Sequence, residues 1–198
     1  MNSISDRRYL DLLKKSLSNE LYLDLELRIS YLLACIALNK KPGMDVLVHP
    51  KRILPDVFQQ FLNGRRVGRV QDFNISIDSQ PIHVSHVFNY YYHTCIGDKR
   101  LDNIEFCIRT CVDERIPGDV IETGVWRGGA GVYMQAVLTV CGATDRNVWL
   151  ADSFEGYPVP RLPQDAAIDY RPSNRPDQVI YQEEVEDLFE RYGLLAQN

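Results

Sequence analysis

The stretch Asp119–Gly129, DVIETGVWRGG, sets a carboxylate, Glu122, between a short apolar run and a set of glycines. A glycine-rich turn at the carboxyl end of a strand lets a ligand approach the backbone, and the helix that follows presents its amino end there. A pyrophosphate would favour bare amides in the spacing GxGxxG. The glycines here are Gly124, Gly128, Gly129 and Gly131, with Glu122 ahead of them, which is a poor match.

A carboxylate repels a diphosphate and attracts a cation. S-adenosylmethionine has no phosphate and carries an α-ammonium, a sulfonium and a ribose diol, so the turn suits it better than a dinucleotide. A second acid, Asp152, closes the apolar run NVWLAD, where a strand-end carboxylate can take both ribose hydroxyls. It follows Glu122 by about thirty residues, against the usual separation of roughly twenty. On these residues alone a plainer reading stays open for both acids, that of a strand-end group capping the next helix.

Other chemistry-bearing residues point nowhere so specific. His83, His86 and His93 fall close together but lack a third ligand of clear geometry, so no metal site is expected from them. Cys107 and Cys111, four apart on one helix, read as small buried thiols. Arg127 is open between pairing with a cofactor carboxylate and a solvated position at a helix start. The acidic run EEVED, Glu183 to Asp187, reads as a solvated face near a helix amino end.

These groups need elements to hold them. Tyr9, Leu10, Leu13 and Leu17 recur at helical steps and predict a helix over 6–17 that Asn19 can end. A second helix, LRISYLLACIALN, is stopped by KKPG, and the two together read as a small N-terminal cap. Pro55 to Gly64 reads as a short helix, followed by weak strand alternation from Arg65 to Pro81. Leu101, Ile104, Ile108 and Cys111 line one face of a helix that Pro117-Gly118 terminate. Then come a buried strand DVIET, a helix from about Gly128 to Val140, and a second buried strand NVWLAD, which together make a βαβ unit with parallel strands. A Pro-containing loop from Ser153 to Pro176 precedes a last helix capped by Gly193. Two parallel strands are few for an α/β domain, so either the N-terminal part pairs with them or the chain is a fragment.

The totals narrow the classes. A chain of 198 residues, 45% hydrophobic, can bury a core, and a net charge of -5 gives no general attraction to nucleic acid or anionic lipid. Five scattered cysteines without a CxxC pattern suit a reducing cytoplasm. With neither a signal peptide nor an apolar run of roughly 18 residues, a soluble protein is expected.

Several blocks are recognisable together. PGDVIETGVWRGGA, DRNVWLADSFEG, RYGLL, HTCIGDKRLDN and YLDLLKKSLSN closely resemble the macrocin O-methyltransferase (TylF) family of antibiotic-sugar methyltransferases, in the right order and with an interruption around residues 24 to 82. The resemblance implies an α/β, Rossmann-like class I methyltransferase fold with a partial parallel sheet. Residues 1–97 would be an N-terminal helical cap or lid, and 98–198 the first half of the cofactor-binding domain. It implies S-adenosylmethionine as cofactor, a divalent metal, usually magnesium, and methyl transfer to a sugar hydroxyl of a natural product. By the same resemblance Glu122, Thr123, Gly124 and Gly128 line the methionine end of the cofactor, Asp152 holds the ribose, and Ser153 and Phe154 sit beside the adenosine. Thr94, Cys95 and Ile96 would close over the methionine side. The family's metal ligands and catalytic aspartate lie in an LDGD block and a later DD pair. This sequence stops before either, so no catalytic or metal residue is assigned. A non-catalytic module of the same fold and an NAD-type oxidoreductase half-domain stand as alternatives. The expected partner is a sugar-bearing small molecule, with homo-oligomerisation open.

Overall fold

Ser3 and Asp6 exchange hydrogen bonds, Ser3 N to Asp6 Oδ2 at 2.9 Å and Asp6 N to Ser3 Oγ at 3.0 Å. This capping box satisfies two amides that the first turn leaves orphaned and so opens α1 (Ile4–Leu17). The computed structural model describes residues 3–53, 56, 59, 70–87, 92–165 and 169–195. Contacts divide the chain into two units, Lys15–Gly97 and Met1–Lys14 with Asp98–Asn198, the boundary falling inside α1.

In the first of these units Asn19 takes a left-handed backbone (φ 56°) after α1, and its Nδ2 donates to Glu26 Oε1 at 2.7 Å. Asn19 thus ends the helix, as the sequence predicts. α2 (Leu23–Ala37) starts four residues earlier than the apolar run LRISYLLACIALN and is followed by the short α3 (Met44–Val48) and α4 (Pro50–Ile53). The helix expected from Pro55 to Gly64 lies outside the described residues apart from Asp56 and Gln59, which are helical. The weakly alternating stretch contains β1 (Val70–Ile77), and a second strand that the sequence reading did not include, β2 (Gln80–Val87), pairs with it antiparallel. Asp78 and Ser79 join them with φ of 50° and 64°, the doubly left-handed turn whose twist matches that of a hairpin. Leu27, Tyr31, Ala34 and Cys35 of α2 share a core with Ile75, Ile77 and Tyr92.

The second unit is α/β. α5 (Asp98–Asp113) buries Leu101 and Ile108 and half-buries Ile104 and Cys111, but Cys107 is exposed rather than buried. Inside this unit Glu105 gathers donors from three helical segments: Lys14 Nζ of α1 at 3.1 Å, Arg109 Nε at 2.9 Å and the Tyr133 hydroxyl at 2.7 Å. Lys14 also reaches Asp102 Oδ1 at 2.6 Å. Burial works against the charge of Lys14, yet Asp102, Tyr133 and Glu105 outweigh it and hold its pKa above the usual lysine range.

β3 (Val120–Thr123) and β4 (Val148–Ala151) are parallel neighbours connected through α6 (Gly129–Cys141), the βαβ unit read from the sequence. Valine, isoleucine and tryptophan suit these short strands. At their amino ends Asp119 accepts from Asn147 N at 2.9 Å and from Trp149 Nε1 at 2.7 Å, which fixes the register. α7 (Gln182–Arg191) follows, its first turn tied by Tyr181 N to Glu184 Oε2 at 2.9 Å, and Gly193 (φ 65°) stands just past its end. One expectation needs correcting: the strands are not buried on both faces. Burial alternates along each, and Ile121 and Trp149 remain 60% and 59% exposed, because α6 packs on the opposite side, with α7 against α6. No described helix is long and apolar enough to cross a membrane.

Candidate functional site

The parallel pairing runs one step past β3, with Gly124 N donating to Ala151 O at 2.9 Å. The chain then turns through Val125–Gly128 into α6. Gly124 (φ 81°) and Gly128 (φ 82°) take left-handed backbone that L side chains rarely adopt. A Cβ on Gly124 would meet nothing within 4 Å, so the backbone there faces open space. At Gly131 the reverse holds: a Cβ would lie 2.5 Å from Leu150 Cδ2 and 3.3 Å from Glu122 Oε2, so α6 sits tightly on the sheet beside that carboxylate.

Glu122 is half-buried, and its Oε2 is fully buried without a hydrogen-bond partner among the described residues. Burial, helped by the nearby charge of Asp152, pushes the carboxyl up to about 7, against the lowering pull of the Gly131 backbone amide. The group is therefore charged at neutral pH only at a cost, which a cation at the turn would relieve. Thr123 is exposed and paired through its backbone with Ala151.

Asp152 sits in the opposite condition. Its Oδ2 accepts from Val125 N at 2.7 Å and Trp126 N at 3.4 Å, and its Oδ1 from Phe154 N at 3.3 Å. Burial alone would raise its pKa, but the amides of Val125, Phe154, Trp126 and Ser153 outweigh burial and hold it below the usual carboxylate range. Ser153 Oγ donates to Gly156 O at 3.0 Å and accepts from Glu155 N, folding the start of the following loop. Arg127 lies over the Trp126 ring, its Cζ 4.6 Å from the centroid, and burial lowers its pKa while Glu184 opposes that shift.

The structure thus brings Glu122, Thr123, Gly124, Gly128, Asp152, Ser153 and Phe154 to the carboxyl ends of two adjacent strands. Thr94, Cys95 and Ile96 belong to the other unit, where Thr94 is buried, its Oγ1 accepts from Ile96 N at 3.3 Å, and Cys95 is exposed. Among the described residues no three His, Cys, Asp or Glu side chains gather as a metal site. Sequence reasoning missed two features. Trp126 (φ 49°) and Phe154 (φ 54°) carry left-handed backbone that costs on the order of 1–3 kcal/mol at a bulky residue. The only signal was indirect, a glycine within two residues of each.

The solved structure of the O-methyltransferase NovP superposes with a TM-score of 0.58 at 30% identity, covering 97% of this chain and 61% of that one. The arrangement is accordingly the Rossmann-like class I methyltransferase fold. Over 105 residues the chain is 46% identical to 8-demethyl-8-(2,3-dimethoxy-alpha-L-rhamnosyl)-tetracenomycin-C 4'-O-methyltransferase of Streptomyces olivaceus, covering 52% of this chain and 40% of that protein. Over 107 residues it is 42% identical to mycinamicin III 3''-O-methyltransferase of Micromonospora griseorubida, covering 52% and 42%. These matches span less than half the length of either relative. The family model for Macrocin-O-methyltransferase (TylF) matches residues 6–198, and the chain belongs to that family.

Proposed function

We propose that the turn between β3 and α6 binds S-adenosylmethionine and that the protein serves methyl transfer to a sugar hydroxyl of a natural product. The observation that carries this reading is the unsatisfied, half-buried Glu122 beside a turn whose backbone is open at Gly124. A diphosphate would add negative charge beside a carboxylate already strained by burial and by Asp152, whereas an ammonium or sulfonium relieves that strain. The residues fit the cofactor: Glu122 balances its positive charge, Gly124 admits it to the backbone, and the amino end of α6 suits its carboxylate. Asp152, Ser153 and Phe154 stand on the nucleoside side.

When bound, S-adenosylmethionine supplies an electrophilic methyl group on a sulfonium. This chain's part is to hold that methyl donor at the strand ends. The part expected of Thr94, Cys95 and Ile96 rests on the resemblance alone. Among the described residues no cluster of His, Cys, Asp or Glu is placed to hold magnesium. The acceptor class follows the relatives, whose names specify O-methylation of rhamnosyl-tetracenomycin, mycinamicin and novobiocin precursors.

Calorimetric titration tests the cofactor. Binding of S-adenosylmethionine with no binding of NAD is expected, and the reverse pattern would overturn the proposal. Transfer of a labelled methyl group to a sugar-bearing acceptor, with magnesium added, tests the reaction.

A further inference from the structure

The helix α2 is apolar on two sides. One side, with Leu27, Tyr31, Ala34 and Cys35, packs into the core of its own unit. On the other, Leu25, Ile29, Leu32 and Ile36 follow one another at steps of four, three and four, the spacing that one helix offers to a second. With Leu33 they fall within roughly 100° of arc at 3.6 residues per turn, the width of a full contact stripe. Leu25, Leu33 and Ile36 are 48%, 57% and 73% exposed, and Ile29 and Leu32 are part-buried. From Ile29 to Ala37 the helix carries no charged residue. A solvated helix face is normally polar, and adjoining apolar side chains of this size mark a surface that is covered in use.

Charge indicates what covers it. Glu20 and Asp24 stand at the amino end of the stripe, and Lys40 and Lys41 stand past its carboxyl end. An anionic lipid surface would favour basic residues along the whole helix, and the net charge of the chain is -5. A second copy turned end for end lays each acidic end against the other's basic end, with the two helix dipoles opposed. Side by side in parallel, like charges would meet. A patch that complements itself only after a two-fold rotation is the mark of an isologous contact. Arg28 is engaged within the chain, donating to Asp24 and to the Leu47 carbonyl, and Lys40 meets Asp78 at 3.2 Å, so Glu20 and Lys41 are the better charges to exchange.

We propose that the open side of α2 is a homodimer interface, in which the α2 helices of two copies pack antiparallel about a two-fold axis. The inference stands independently of the proposed cofactor.

Sedimentation velocity on the full chain tests it, with far-UV circular dichroism as the check on folding. A dimer with a dissociation constant in the range of about 1 μM is expected, and a chain that stays monomeric at roughly 100 μM overturns the proposal. Ile36→Lys should weaken the dimer about hundredfold with the dichroism unchanged, and an unaltered dimer would place the contact elsewhere and overturn it. Leu12→Lys, at a residue of α1 that is 57% exposed, should leave association as it was; a loss equal to that of Ile36→Lys counts against this surface. Glu20→Lys and Lys41→Glu each set like charges together twice across the axis, so each alone should weaken the dimer about tenfold at low salt, and the two combined should restore it. The same dissociation constant in all four proteins is the parallel result and overturns the proposal. So does binding to phosphatidylserine vesicles that Ile36→Lys abolishes in a chain that remains monomeric.

Discussion

Glu105 and Glu122 are two part-buried glutamates in one unit, and they are treated in opposite ways. Glu105 receives the Tyr133 hydroxyl, Lys14 and Arg109. Burial pulls its pKa upward, but these three partners outweigh that and lower it. Glu122 has a buried oxygen with no partner and a pKa raised to about 7. A satisfied buried charge ties elements together; an unsatisfied one is a standing cost that folding alone does not explain. The first pattern marks scaffold, the second a place where something else is to arrive.

Replacing Glu122 should separate the two regions most sharply. Glu122→Gln should weaken S-adenosylmethionine by about tenfold to hundredfold in calorimetry, the range expected for a lost charge-assisted contact. The same change should stabilise the ligand-free protein. The folded pKa of about 7 lies above the ordinary 4.5, so the folded state holds the proton more tightly. Its contribution is fully present below pH 4.5 and is lost as pH rises through 7, leaving a penalty of roughly 2–3 kcal/mol at pH 8 that glutamine removes. Urea unfolding at pH 8 and pH 4.5 checks this, and a stability gain equal at both would contradict it.

Gly131→Ala attacks the packing beside the same carboxylate. With a Cβ placed 2.5 Å from Leu150 Cδ2, a loss of about 1–3 kcal/mol is expected in the urea midpoint. Tyr133→Phe acts on the satisfied side, removing one donor from Glu105; a loss of about 1 kcal/mol with unaltered cofactor affinity is expected. If affinity fell as well, the division between scaffold and site would be wrong. The smallest effect should come from Arg191→Ala, which breaks an exposed pair with Asp187 one helical turn away and should stay within about 0.5 kcal/mol by thermal melting.

Much of this architecture is legible in the sequence because it is written locally. The helical spacing of Leu101, Ile104 and Ile108, the stop at Asn19, and the strand-helix-strand run from Val120 to Ala151 depend on neighbours in the chain. So does the position of Glu122 at a glycine turn. What the residues conceal depends on distant partners. Nothing near Glu105 announces Lys14, which lies 91 residues away, although Arg109 at four residues was within reach of a helical-pair argument. β2 was missed because PIHVSHV mixes a proline and two histidines into its alternation, and its turn, Asp78-Ser79, lacks the glycine that marks most such hairpins. The exposed face of β3 and β4 was missed for a related reason. Apolar runs read as buried on both sides, but whether both sides are covered is decided by helices elsewhere.

That open face also gives the molecule an optical property. Trp149 stands 59% exposed beside Ile121, with its indole N–H held by Asp119, so its emission should sit at the long wavelength of a water-bathed indole. Any surface laid over these strands would move that emission to shorter wavelength, so in a Trp126→Phe background an unlabelled spectrum is enough to tell a covered sheet from a bare one.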